Sequence, residues 1–274
     1  MKSNIYIGTG GYSDTDLIGT LYPHGARPSE FLHHYANHYD CVEINSSFHV
    51  PIGQKTVFGI LDKAGEQLQF SFKLHQDFSH TRTATIKTAK SFLNILTPIH
   101  SFLAPLLLQF SYSFERTPVN RQYLGELVKW FDGYLLAIEF RHPSWHLAPV
   151  FEYFSKSANL IWVNADYPKN IGLPNTPFWV NTRTAYYRLH GNNQHWWDEA
   201  TAKERHDYRY TDDELGRIAD EIFGSREQFD ELFIYFQNTT NAHSFYNIMT
   251  LKEKLSALGF LVKTPKPSGQ GVLF

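Results

Sequence analysis

Seven short runs of this sequence alternate in the same way: every second residue is apolar, and the residues between them turn polar or charged toward the end of the run. They are Cys41 to Asn45, Gln69 to His75, Leu106 to Phe110, Leu135 to Arg141, Leu160 to Asp166, Ala185 to His190 and Leu232 to Gln237. Phe70, Phe72 and Leu74 share one parity, and Ser71, Lys73 and His75 the other. The same split separates Leu136, Ile138 and Phe140 from Ala137, Glu139 and Arg141, and Tyr187 and Leu189 from Tyr186, Arg188 and His190. Successive side chains leave a strand on opposite faces, so each run sends its polar set one way. Strands that close into a barrel make those sets converge.

Between the runs, apolar residues recur at helical spacing, which predicts repeated strand-helix units. Phe31, Leu32, Tyr35 and Tyr39 form one stripe behind Pro28; Val119, Tyr123, Leu124, Leu127, Val128 and Phe131 form another behind Pro118. A third, Ala242, Phe245, Tyr246 and Met249, has Thr239 and Thr240 as candidate N-caps. With Ile5 to Gly8 as the first strand there are eight, and the alternating order predicts a parallel α/β sheet with right-handed crossovers. A single (β/α)8 TIM-type barrel over residues 1–274 is the expected fold, with an open doubly wound sheet as the alternative. The chain has 274 residues, and such a barrel needs about 250. Pro168, Gly172, Pro174 and Pro177 predict an irregular or missing helix after the sixth strand, and two prolines and two glycines an irregular tail from about 263.

Composition excludes several classes of function. Twenty-five basic and 27 acidic residues leave a formal charge of −2, so no global field marks a nucleic-acid partner. The one cysteine, Cys41, cannot form an intramolecular disulfide. The N-terminus lacks the apolar stretch of a signal peptide, and the run from Phe102 to Phe110 is too short to span a bilayer. A cytoplasmic protein with no membrane partner is the expectation.

The polar residues cluster at the C-terminal ends of the strands, where barrel enzymes place their chemistry. They are Glu43 and Asn45, Lys73 and His75, Gln109, Glu139 and Arg141, Asn164 and Asp166, Arg188 and His190, and Tyr235 and Gln237. Three acids, Glu43, Glu139 and Asp166, face three bases, Lys73, Arg141 and Arg188. Buried ion pairs must match to offset desolvation, so this balance also fits a structural ionic plug. His75 and His190 lie at strand ends, but no His-Glu-x-x-His or His-x-His spacing accompanies them, and neither a metal nor another cofactor is expected. No Gly-x-Ser-x-Gly elbow supports covalent serine catalysis.

Gly8-Thr-Gly-Gly-Tyr-Ser13, Leu21-Tyr-Pro23, Val42-Glu-Ile-Asn-Ser-Ser-Phe48, Ser79-His-Thr81, Glu139-Phe-Arg-His-Pro-Ser-Trp145, Arg188-Leu-His-Gly191 and Tyr235-Phe-Gln-Asn-Thr239 resemble the YecE-like family, domain of unknown function seventy-two. The resemblance covers nearly the whole chain. It implies a TIM-type barrel and names no reaction. The chain departs from the family pattern at Tyr12 and Leu17, where tryptophan is usual, at Asp14, where tyrosine is usual, and at Gln237, where asparagine is usual. The first loop therefore forms a different rim.

Two functions follow from the residues. In the first the protein is a metal-independent acid-base hydrolase of a phosphorylated, sugar-containing or nucleic-acid-fragment substrate. Glu43, which has no cation beside it in sequence, would be the general acid, Glu139 the base or nucleophile, and Asp166 a third carboxylate. Lys73, Arg141 and Arg188 would clamp anionic groups. Asn45, His75, Gln109, His190, Tyr235 and Asn238 would complete the pocket, with Trp145 and Trp196 stacking at its rim. Phosphate is expected at Arg188, His190, Gly191, Asn238, Thr239 and Thr240, after strands seven and eight. In the second the same pocket belongs to a non-catalytic nucleotide or nucleic-acid binding module. The hydrolase requires two carboxyl groups that face one space with room for substrate, roughly 5 to 9.5 Å apart, and it fails if both are locked in bidentate arginine pairs. The sequence leaves the oligomeric state open.

Overall fold

The computed structural model describes residues 3–197 and 201–263. Eight parallel strands form the barrel: β1 (Asn4–Thr9), β2 (Cys41–Ile44), β3 (Gln69–Phe72), β4 (Leu106–Gln109), β5 (Leu136–Glu139), β6 (Leu160–Asp166), β7 (Thr184–Leu189) and β8 (Glu231–Phe236). The ladder runs β3-β2-β1-β8-β7-β6-β5-β4. Between its end strands only isolated bridges form, Phe70 with Leu103 and Lys73 with Leu107, which nearly close the barrel. A short ninth strand, β9 (Leu261–Val262), pairs with the start of β1. Residues 264 onward, most of the expected tail, lie outside the described residues.

Helices cross over between seven strand pairs: α1 (Phe31–Ala36), α2 (Gln54–Ala64), α3 (Ile86–Leu96), α4 (Pro118–Trp130), α5 (Ala148–Ser155), α6 (Asp212–Gly224) and α7 (His243–Ala257), the last leading to β9. Caps fix their starts. Thr85, Thr117 and Thr211 accept hydrogen bonds from the first turns of α3, α4 and α6. No helix follows β6. There the chain is held by two asparagines instead. Asn164 exchanges hydrogen bonds with the Trp179 backbone at 2.8 and 3.0 Å, and Asn181 caps the Trp162 N–H at 2.9 Å and the Leu160 carbonyl at 2.7 Å. No helix of the described residues is long and apolar enough to cross a membrane.

The stripe expected at the start of α7 holds in part: Ala242 is buried and Phe245 packs against the core, but its other two members do neither. Met249 and Tyr246 are 51 and 39% exposed, while Ser244, Asn247, Ile248, Leu251 and Leu255 are buried. Polar burial shifts the face: Asn247 accepts from the Tyr210 N–H at 3.1 Å and donates to the Tyr210 carbonyl at 2.9 Å. Nor do Thr239 and Thr240 cap the helix; its N-cap is Ala242, in the left-handed region with φ 56°.

Two apolar layers enclose the strands. The outer one joins strand faces such as Phe70, Phe72, Ile138 and Ile234 to the helices. The inner one fills the lower barrel with Tyr6, Cys41, Leu107, Ala137, Ile161, Val163, Tyr186, Phe233 and Tyr235. Strand alternation then sets what stands above: the next inward positions are Glu43, Ser71, Glu139 and Arg188. The apolar floor is what desolvates them.

Candidate functional site

Arg188 joins the two inner glutamates. Its Nε and Nη2 donate to Glu43 Oε2 and Oε1 at 3.0 and 2.8 Å, a bidentate pair, and its Nη1 donates to Glu139 Oε2. Tyr186 OH and Gln237 Nε2 donate to Glu43 at 2.8 and 3.1 Å, so four donor atoms converge on that carboxylate. Glu139 Oε1 accepts from Arg141 Nε at 2.9 Å and from Tyr167 OH. Glu43, Glu139 and Arg188 are 0, 1 and 2% exposed. Burial alone would raise the Glu139 pKa, but the guanidiniums of Arg188 and Arg141 outweigh it and hold the carboxyl well below the usual range. Neither glutamate is a free carboxyl. Glu43 is locked in a bidentate arginine pair, and Glu139 divides its two oxygens between Arg188 and Arg141, so both carboxylates are committed to guanidiniums, one of them bidentately.

Above this layer opens a cavity of about 360 Å³, lined by Lys73, Arg141, Asn45, Gln237, His190 and Lys203 among others. Its cationic lining residues are Lys73, Arg141, Arg188 and Lys203, against one acid, Asp14. Two of those cations are already spent: Arg188 on the glutamates and Lys203 on Asp16 at 2.7 Å. Arg141 uses Nε on Glu139, and its terminal nitrogens make no hydrogen bond among the described residues. Lys73 Nζ has no carboxylate within ion-pair distance among them and lies 4.1 Å over the Phe48 ring. Burial, then the neighbouring Arg188 and Arg141, push the Lys73 amine down to about 7.

The phosphate position expected after strands seven and eight is occupied by the chain's own carboxylates. Thr239 Oγ1 donates to Asp14 at 2.7 Å and the Asn241 N–H to Asp16 at 2.8 Å, while Thr240 Oγ1 donates to the Lys203 carbonyl. Among the described residues, the mouth cations whose terminal nitrogens make no hydrogen bond to a carboxylate are Lys73 and Arg141.

An aromatic wall lies beside Arg141. Trp196 is buried, with Tyr167, His190 and His206 ring centroids 6.0, 5.6 and 5.3 Å away, and the Arg141 guanidinium lies 5.7 and 6.0 Å from the Tyr167 and Trp196 rings. Trp197 is 54% exposed, so the consecutive tryptophans divide into a wall and a surface residue. Burial pushes His206 down to about 4, and burial with Arg188 holds His190 well below the usual imidazole range. Both rings are neutral at pH 7. His190 Nε2 is 3.5 Å from Arg188 Nη1, and the buried Nδ1 has no hydrogen-bond partner among the described residues.

Of the residues singled out from sequence, Glu43, Glu139, Arg188, Arg141, Lys73, Asn45, His190 and Trp196 come together in or around the mouth. Six others do not. Asp166 points away from the barrel axis to accept from Tyr210 OH at 2.6 Å, because β6 turns Ile161 and Val163 inward. Trp145 is buried outside the barrel, stacked on Phe140 at 4.5 Å and donating to the Phe114 carbonyl. Asn238 is tied to the Tyr208 carbonyl and Asn247. Tyr235 lies in the apolar floor, Gln109 donates to the Phe110 carbonyl, and His75 caps the turn at Asp77. Sequence reasoning missed Tyr167 and His206 and left Gln237 outside its binding set. The inward parity of Ile161 and Val163, continued, reaches Tyr167; nothing local marked His206. Among the described residues no group of three His, Cys, Asp or Glu side chains is arranged to hold a metal.

Gly10 explains why Gln237 reaches Glu43. A Cβ at position 10 would stand 2.1 Å from Gln237 Oε1. The clashing atom ends a flexible side chain, so Gly10→Ala is expected to fold while displacing Gln237, at a cost of about 1–2 kcal/mol in urea unfolding. Unchanged stability would show that the Gln237 hydrogen bond contributes nothing.

Comparison with known proteins agrees with this architecture. The family model described as protein of unknown function DUF72 matches residues 6–270. The UPF0759 protein YunF of Bacillus subtilis strain 168 is 27% identical over 270 residues, covering 92% of this chain and 94% of that one. A crystal structure of a DUF72 family protein from Thermotoga maritima MSB8 superposes with a TM-score of 0.83 at 28% identity, covering 92% of this chain and 99% of the other. A DUF72 family protein from Enterococcus faecalis V583 shares the fold, with a TM-score of 0.80 at 22% identity over 92 and 95% of the two chains. With the family model matched from β1 to beyond β9, the chain belongs to the DUF72 family.

Proposed function

We propose that the barrel mouth binds a small anionic ligand, of the phosphorylated or sugar-phosphate class, with Arg141 and Lys73 as the anion clamp. One observation carries this reading: these are two inward-facing cations whose terminal nitrogens have no acidic partner among the described residues, beside a cavity of about 360 Å³. A partly buried ammonium without a carboxylate is costly, and an anion would supply what Lys73 lacks while using the terminal nitrogens that Arg141 leaves unbonded. The aromatic wall of Trp196 and Tyr167 adds a surface suited to a sugar face. Hydrolysis through Glu43 and Glu139 is the less supported version, because Arg188 holds both. A cavity of about 360 Å³ also suits a small molecule better than a nucleic-acid strand.

Thermal unfolding in inorganic phosphate tests the reading. Phosphate at about 100 times its dissociation constant should stabilise the protein by about 2.7 kcal/mol. Arg141→Met should remove most of that shift. A shift of equal size in this variant, or a larger one from a short oligonucleotide, would count against the proposal.

A further inference from the structure

Lys73 differs from its neighbours in the mouth. Arg188, Arg141 and Lys203 are each paired with a carboxylate, whereas Lys73 Nζ faces an aromatic ring and open cavity. Its surroundings are charged on several sides: Arg188 from β7, Glu139 and Arg141 from β5 and the turn after it, Glu43 from β2, and His80 beyond β3. The two glutamates are committed to Arg188 and Arg141, so neither stands within ion-pair distance of Lys73 Nζ, and burial with the two guanidiniums outweighs their pull on the amine. A lysine that lies against an aromatic ring and beside other cations, with no carboxylate on its amine, is disposed to be a nucleophilic amine near neutral pH, as in enzymes that act through lysine imines. The residue also stands where the β3 and β4 edges barely join, at its bridge to Leu107, with its side chain directed into the mouth.

We propose that Lys73 is an imine-forming residue, whose amine attacks the carbonyl carbon of a small aldehyde or ketone while Arg141 holds an anionic group of the same molecule. The inference deepens the anion-binding reading above and rests on it. In the first step the nitrogen lone pair forms the C–N bond, the carbonyl π pair moves to oxygen, and a proton passes from nitrogen to that oxygen. Loss of hydroxide as water, with one further proton, then gives the protonated imine. No oxidant or reductant is required. The product carries a positive charge at the former Nζ, and Glu139 and Glu43 lie among the groups around it.

Pyridoxal 5′-phosphate, an aldehyde bearing a phosphate, is the probe. The full-length protein is treated with it, reduced with borohydride, and mapped by peptide mass spectrometry at several pH values. Borohydride delivers hydride to the imine carbon and leaves a stable secondary amine. Lys73 is expected to label at least about tenfold faster than the surface lysines at pH 7.5, because more of it is uncharged. Labelling should rise through pH 7, be suppressed by inorganic phosphate, and vanish in Lys73→Arg, which keeps the charge but cannot form the imine. If phosphate still shifts the melting temperature but the adduct spreads over surface lysines with no preference for Lys73, the imine proposal is overturned and the anion site stands. If Lys73 labels but phosphate neither protects it nor stabilises the protein, the anion-bearing half fails together with the reading beneath it.

Discussion

Arg188→Met should destabilise the protein by roughly 3–5 kcal/mol, measured as the shift of the urea midpoint multiplied by the slope. That is a large fraction of the roughly 5–15 kcal/mol that holds a typical domain together. The cost arises from the partners left behind. Glu43 and Glu139 are buried to 0 and 1% exposure, and without the guanidinium each keeps a charge in an apolar surround with only neutral donors or Arg141 to meet it. The triple replacement Glu43→Gln, Glu139→Gln and Arg188→Met removes the charges together and should recover more than half of the loss. A single-variant cost below about 1 kcal/mol would contradict the account of a buried, mutually dependent network. The same network sets an acid limit. The pKa of Glu139 is lower folded than unfolded, so its stabilisation is complete above the ordinary carboxylate range and is lost as pH falls below it.

Lys73→Met should act in the opposite direction, raising stability by roughly 2–4 kcal/mol at pH 6 once partial exposure of the side chain is allowed for. The sign follows from linkage. The folded protein holds the amine at about 7 against an ordinary 10.5, so between these values the unfolded chain carries a proton that the folded one does not. Wild-type stability should therefore rise with pH across that window, and the advantage of methionine should shrink to little above pH 10.5. The methionine also keeps an apolar contact with Phe48, whose ring lies 4.1 Å from Nζ. Phosphate binding should fall with the same substitution. A variant that is more stable yet no longer binds is the signature of a residue retained for function at a cost in stability. Equal or lower stability at pH 6, measured by urea unfolding, would mean that Lys73 is an ordinary solvated lysine.

The barrel was legible because period-two alternation reports directly on burial. Ala137, Glu139 and Arg141 read as one inward set and are one. The sixth unit shows where such reading stops. There the outward face of β6 is covered by chain without a helix, and Asn164 is polar because it binds the Trp179 backbone. Polar residues on that face looked like part of the mouth, so Asp166 was assigned inward and Tyr167 overlooked. The pairing inside the mouth was also beyond the sequence. Glu139 and Arg141, two residues apart at the end of β5, do bond, but the dominant partner of both glutamates is Arg188, 49 residues from Glu139 and 145 from Glu43. Asp14 and Asp16 filling the loop after β8 is likewise a contact across 225 residues. Which cations remain free depends on those distant contacts, and only the fold supplies them.

The central claim is that Arg188 satisfies both glutamates and leaves Lys73 as a desolvated amine awaiting an anion. Nuclear magnetic resonance of the lysine side chains, titrated with pH in the presence and absence of inorganic phosphate, measures this at the atom concerned. The account predicts that Lys73 titrates near 7 in the free protein and moves upward when phosphate binds, because the anion favours the charged amine. A Lys73 titration at the ordinary 10.5, unchanged by phosphate, would contradict it.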